Sequence, residues 1–272
     1  MSFQFKIHFF PFRFLFAKLH NLKVNFITFI LMNKNHFPFD INCDLGEGLA
    51  NDGMLMPFID SCNIACGGHT GDERSIIEAI RSAKKYGVKV GAHPSYPDRE
   101  NFGRKYMALD PKLLSTIILK QLQFFERICQ AEEIEMNHIK PHGALYNHAA
   151  KDEVTSFVII NLLAENFPDA CLYCPPNSVT ATIANESGIK IKREVFADRS
   201  YNDDLTLVDR SKPKALLTDP QEVIEHVGWM VHEKKIKTIT GSLVPIEAET
   251  LCVHGDNPSA LEILKGIRTN FG

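Results

Sequence analysis

Four histidines of this chain, His69, His93, His142 and His254, stand at the ends of short apolar runs: "NIACGGHTGD", "VGAHPSYPDRENFGR", "IKPHGALYN" and "LCVHGD". A fifth run, "DINCDLGEG", carries Asp40, Asn42 and Asp44 at alternate positions and ends on Glu47 between Gly46 and Gly48. A sixth, "EVFADRSYNDDLTLVDR", holds Glu194, Asp198, Arg199 and Arg210. Imidazole, carboxylate and guanidinium together suit hydrolysis or activation of a carboxamide. A histidine or carboxylate acts as general base toward water, and Lys140 or another histidine stabilises the developing oxyanion. Arg99, Arg104 and Arg199 are candidates to clamp a substrate carboxylate, because guanidinium binds it through two parallel hydrogen bonds. Two histidines plus an aspartate could equally hold a divalent metal that does both jobs. Residue types alone leave both routes open.

Each residue taken singly has a plainer explanation. A histidine at a strand end is commonly a hydrogen-bonded loop residue, Asp72 could be only a helix cap, and Arg199 could simply pair with Asp198. Coincidence of position is what points to a site, and it requires elements that repeat. Seven short runs have strand character: Phe39–Leu45, Cys62–Cys66, Val88–His93, Met136–Lys140, Cys171–Cys174, Arg193–Asp198 and Thr250–His254. In the first, Asp40, Asn42 and Asp44 share one face, and buried polar groups there are costly unless they bind something. Between the runs lie helical patterns. Asp72 opens one in which Ile76, Ile77, Ile80 and Ala83 recur at helical spacing and Gly87 ends it. Asp110-Pro111, Asp219-Pro220 and Asn257-Pro258 each join a capping residue to a proline at the first helical position.

Alternation of strand and helix predicts a parallel sheet covered by helices. Seven repeats predict an α/β fold, a barrel or partly open barrel. In such barrels the chemistry lies at the C-terminal ends of the strands, where all four histidines fall.

Composition narrows the function classes. With 23% charged residues and a net charge of −3, the chain has no basic excess for nucleic acid. No Walker-type phosphate loop is present and no G-x-G-x-x-G follows the first run. Seven cysteines, mostly inside apolar runs, read as reduced thiols of a cytoplasmic protein. Cys171 and Cys174 have zinc-like spacing but no second pair, so packing is their expected role. Residues 1–38 differ in character, being dense in Phe with scattered Lys, Arg and His. Their longest uncharged piece, Val24 to Asn33, is far short of the ~20 residues a membrane helix needs. They read as an extension outside the fold, with Met32 as an alternative start and no membrane role expected.

The six motifs "DINCDLGEG", "NIACGGHTGD", "GAHPSYPDRENFGR", "KPHGALYN", "EVFADRSY" and "VHGD" resemble, in order and spacing, the LamB/YcsF family from about Asp40 to the C-terminus. The resemblance implies a seven-stranded (β/α) barrel, similar to the glycoside hydrolase/deacetylase superfamily, over residues 39–272 as one domain. It also implies a role as the A subunit of an ATP-dependent 5-oxoprolinase, which cleaves 5-oxo-L-proline to L-glutamate with ATP as co-substrate and with subunits B and C as partners. Family members usually carry an aromatic residue where this chain has Gly68, and the departure is expected to loosen the pocket wall.

That chemistry assigns His69, His93, His142 and His254 jointly to proton transfer or metal ligation, with Asp44, Glu47, Asp72 and Asp256 as carboxylate partners. Lys140 joins them as a catalytic candidate. Substrate contacts are expected from Asn42, Asp98, Arg99, Arg104, Tyr146, Asn147, Asp198 and Arg199. A metal, if used, would draw on His69, His93, His142 and Asp44. Two rivals stand beside this reading: a metal-dependent amide hydrolase or deacetylase, and a non-catalytic component that binds the substrate and delivers it to partners.

Overall fold

Each apolar run with strand character becomes a strand of one sheet, and the sheet closes on itself. The computed structural model describes residues 37–49 and 51–272, so the expectations for residues 1–36 lie outside the described residues. The strands are β1 (Asp40–Leu45), β2 (Ser61–Ala65), β3 (Lys89–His93), β4 (Met136–Ile139), β5 (Cys171–Cys174) and β6 (Ile191–Phe196). Next come β7 (Lys235–Lys237) and β8 (Leu243–Pro245), which pair antiparallel with each other, and then β9 (Thr250–His254). The closed barrel runs β1-β2-β3-β4-β5-β6-β9, with all neighbours parallel and β9 paired to both β6 and β1. The α/β fold is thus a seven-stranded (β/α) barrel, closed rather than partly open, as the family resemblance implies.

The helices are α1 (Asp52–Leu55), α2 (Glu73–Tyr86), α3 (Pro111–Ala131), α4 (Gly143–Ala149), α5 (Glu153–Asn166), α6 (Val179–Glu186), α7 (Pro220–His232) and α8 (Ala260–Phe271). Asp72 caps α2 in a reciprocal pair with Ser75, and Gly87 ends that helix at φ 65°. Asp110 and Asp219 cap α3 and α7 ahead of their prolines, as expected. Asn257-Pro258 behaves differently: α8 starts at Ala260. The Asn257 amide instead donates to Asp198 Oδ2 and to the Leu217 carbonyl, both at 2.9 Å, tying two loops together at the barrel mouth. None of the described helices is long and apolar enough to cross a membrane.

Alternation along β1 sorts its side chains. Ile41, Cys43 and Leu45 join the apolar layer beneath the helices, while the polar set fills the barrel. Asp40 accepts from Ser61 Oγ at 2.6 Å and from Tyr173 at 3.1 Å. Asn42 donates to Glu194 at 2.8 Å and Thr250 at 2.7 Å, and Asn63 donates to Asn42 and Asp44, each at 2.8 Å. His138 adds a contact to Asn63 Oδ1 at 2.7 Å and stacks on Tyr173. The polar side chains of β1 therefore find partners among their neighbours, while Glu194 Oε2 is left without one. Gly91 makes room for this column, since a Cβ there would stand 2.1 Å from His138 Nε2.

Candidate active site at the barrel mouth

His93 ends β3, His142 precedes α4, and His69 lies in the turn between β2 and α2, so three strand ends deliver three imidazoles to one place. The His69 and His142 rings stack at 3.7 Å, and His93 meets both edge-on. The outer nitrogens of His93 and His142 both have partners. His93 Nδ1 lies 2.7 Å from the Lys140 carbonyl, and His142 Nε2 lies 2.9 Å from the Phe102 carbonyl. A carbonyl only accepts, so both outer nitrogens carry the proton and donate it. Phe102 adopts a left-handed backbone (φ 54°) in the loop that presents its carbonyl.

The inner nitrogens are consequently lone pairs in the neutral rings. His93 Nε2 and His142 Nδ1 face each other at 2.9 Å, and Asp44 Oδ2 lies 3.5 Å from His93 Nε2. Two lone pairs in contact repel unless a cation lies between them. Asp44, His93 and His142 form a compact buried donor set of the kind that holds a divalent ion; Glu47, His69 and His142 form a second set. The two share His142 Nδ1, which can serve only one of them. Donation of the outer nitrogens to carbonyls is the usual support for metal-binding imidazoles, and it is complete for the first set.

Charge in the barrel also calls for a cation. Lys140 Nζ lies 2.9 Å from Asp44, 3.0 Å from Glu194 and 3.1 Å from Cys252 Sγ. One ammonium between two buried carboxylates leaves a net negative charge. Burial pushes the Asp44 carboxyl up, but the Lys140 ammonium leads the groups that outweigh it and hold the carboxyl well below its ordinary range. Burial likewise favours neutral Lys140, yet Asp44, Cys252 and Glu194 keep it firmly protonated. Glu47 is the opposite case: burial, then the charges of Asp44 and Asp256, push its carboxyl well up. It lies 3.1 Å from His69 Nε2 and 3.6 Å from His142 Nδ1. Burial and His93 depress His69 to about 3, and burial with His69 and His93 depresses His142.

Across the mouth His254 Nδ1 meets Asp198 Oδ1 at 2.8 Å, and Asp198 also accepts from the His254 backbone and from Asn257. Burial raises the Asp198 carboxyl, but His254 and Asn257 overcome it, so Asp198 is ionised. An ionised aspartate on Nδ1–H leaves His254 Nε2 as a base. At the rim, Asp256 pairs with Arg104 and lies 3.7 Å from Arg210.

The remaining sequence candidates lie apart from this cluster. Asn42 is buried in the polar column below it. Asp72 is exposed at its cap. Asp98 accepts from Asn101 within its own loop. Arg99 donates to the Gly67 and Gly71 carbonyls and borders an outer groove of about 420 Å³ with Lys120 and Phe124. Arg199 is buried and donates to the Ala215 and Val208 carbonyls, bracing the long loop after β6. Asn147 is exposed on α4, while Tyr146 on the same helix is buried beside Glu194. Gly68 leaves no loose wall: the Gln121 amide and the Ser95 hydroxyl fill the space, and a Cβ would stand 2.3 Å from each. Ser95 and Gln121 border the site without standing out in the sequence as site residues, and Gln121 looks like any polar helix residue; Glu194 stands out in the sixth run but is given no role there.

The fold and this mouth define a closed seven-stranded (β/α) barrel with an imidazole- and carboxylate-rich centre. The chain belongs to the LamB/YcsF family, whose pattern it matches over residues 39–272. It is 44% identical over 234 residues to the 5-oxoprolinase A subunit of Pyrococcus horikoshii, covering 84% of this chain and 92% of that one. The protein of the same name from Pyrococcus furiosus is 42% identical over the same length, with the same coverage of both chains. The crystal structure of a lactam utilization protein from Thermus thermophilus superposes with a TM-score of 0.79 at 36% identity, covering 85% of this chain and 94% of that one.

Proposed function

We propose that this chain is the A subunit of an ATP-dependent 5-oxoprolinase, opening the lactam of 5-oxo-L-proline to L-glutamate in a complex with subunits B and C. The observation that carries the reading is the convergence of inward-facing imidazole lone pairs, Asp44 and Glu47 at one mouth with the Asp198–His254 pair, in a chain so similar to proteins of that name. A five-membered lactam is an unstrained amide, and its carbonyl carbon needs activation before water will attack. ATP, as co-substrate, supplies it by phosphorylating the lactam oxygen. Water then adds to that carbon, the C–N bond breaks as the ring nitrogen takes a proton, and a second water releases phosphate from the acyl phosphate that is left, with ADP as the other product.

His254 Nε2, with Asp198 fixing its ring, takes the proton from water. Glu47, whose carboxyl burial pushes well above its ordinary range, is the acid that serves the departing nitrogen. Arg104 and Arg210, which share the single carboxylate of Asp256, receive the substrate carboxylate at the rim. Lys140 has its donors occupied by Asp44, Glu194 and Cys252, so it acts by holding Asp44. Asp44, His93 and His142 would hold a divalent ion, and such an ion polarises a carbonyl or phosphoryl oxygen.

The same donor set favours a second reading, amide hydrolysis that needs the metal but no ATP. The deciding experiment is glutamate release from 5-oxoproline by this chain alone and with its B and C partners, with and without ATP and chelator. Release that needs ATP and all three subunits supports the first reading. Amide hydrolysis by the chain alone, lost to chelator and indifferent to ATP, would replace it with the second. No glutamate from the complete folded complex would end the 5-oxoprolinase reading.

A further inference from the structure

His93 and His142 have their outer nitrogens on carbonyls, but His69 Nδ1 faces a hydroxyl, Ser95 Oγ, at 3.0 Å. A hydroxyl can donate or accept, so by itself it does not set which nitrogen of His69 carries the proton. A further contact does. Ser95 Oγ gives its own proton to the Tyr96 carbonyl at 2.9 Å, which leaves the oxygen to accept from His69 Nδ1–H. The Ser95 backbone is in turn clamped from outside the barrel. Gln121, on α3, accepts from Ser95 N–H at 3.0 Å and donates to the Ser95 carbonyl at 2.8 Å. This reach is open only because residue 68 is glycine, where a Cβ would collide with both Gln121 Oε1 and Ser95 Oγ.

We propose that Gln121, Ser95 and Gly68 are positioning residues that hold His69 in its Nδ1–H tautomer, so that the Nε2 lone pair faces the Glu47 carboxyl. The arrangement acts on the reaction through Glu47, a step that rests on the function proposed above. His69 Nε2 lies 3.1 Å from Glu47 Oε1, so reversal of the Ser95 hydroxyl would turn an N–H instead of a lone pair toward that carboxyl.

The test is a long-range proton–nitrogen NMR correlation of the histidine rings in the ¹⁵N-labelled full chain, with His69 assigned by its loss in His69→Gln. The wild-type ring is expected as Nδ1–H alone. Ser95→Ala and, separately, Gln121→Leu are expected to lose that single state, whereas Ser95→Thr, which keeps the hydroxyl, retains it. In the assembled enzyme Ser95→Ala lowers kcat by about 10- to 100-fold, the range for groups that orient a reacting residue, with little change in KM. A wild-type Nε2–H ring overturns the proposal, as does an Nδ1–H ring that survives both Ser95→Ala and Gln121→Leu. If Ser95→Ala fails to fold, Gln121→Leu and the wild-type ring still decide. The ring signal needs no turnover. An Nδ1–H ring that responds to both variants in a complex without lactam activity would therefore sink the functional reading and leave this one standing.

Discussion

At the scale of residues, the mouth is governed by pairs rather than by single groups. Lys140 is enclosed by Asp44 and Glu194, and removing the ammonium strands two buried carboxylates. Breaking a buried pair in this way costs about 3–5 kcal/mol. Lys140→Met is therefore expected to lose that much in denaturant unfolding, and Glu194→Gln less, because Asp44 still pairs with Lys140. Equal and small losses in both would show the ion pair to be unimportant. The metal assignment has its own test: elemental analysis of the purified chain should find about one divalent ion per chain, lost in His93→Ala and retained in His254→Ala. Loss in both, or in neither, contradicts the assignment to Asp44, His93 and His142. All four histidines were legible in the sequence because strand ends repeat. Ser95 and Gln121 were not, since their chemistry exists only once a loop and an outer helix meet across 26 positions. Arg199 and Asp72 looked like site residues for the same positional reason, yet their hydrogen bonds go to loop carbonyls and a helix cap.

At the scale of elements, the barrel depends on the fit of small and large side chains between adjacent strands. Gly91 on β3 and His138 on β4 form such a fit. Gly91→Ala pushes a methyl into the ring and is expected to cost about 1–3 kcal/mol in unfolding free energy, as overpacking does. An unchanged stability would mean the ring moves freely aside. His138 also sets a pH dependence. Burial depresses it from 6.5 to about 3, and burial likewise depresses His226 on α7 to about 4. Both are neutral when folded and accept protons more readily when unfolded. Stability is thus intact above pH 6.5 and is lost as the pH falls from there toward about 3. The thermal midpoint should drop across that window, and His138→Gln should flatten the drop; an equal slope in the variant would remove His138 from the account. The strand rhythm was legible because parallel strands are short apolar runs. The β7–β8 hairpin was not, although Ile236, Ile239, Leu243 and Val244 flank Gly241, because it adds nothing to the repeat.

At the scale of the whole molecule, the question is where the folding unit begins. The family pattern starts at residue 39, but packing starts slightly earlier. Phe37 is buried, meets Phe39 edge-on at 5.6 Å and lies 6.4 Å from Phe271 on the last helix, so it joins the first strand to α8. A buried aromatic in such a place is worth several kcal/mol: truncating Phe to Ala costs about 3–5 kcal/mol in cores, and the lower end suits a residue at the edge. A chain beginning at Asn35 is therefore expected to unfold at the same temperature as the full chain and to bind the same divalent ion. Phe37→Ala in either length should unfold several degrees lower. Calorimetry of the four proteins separates the outcomes. A lower midpoint for the shortened chain would bring the preceding residues into the folding unit, whereas equal midpoints for all four would place the boundary at β1.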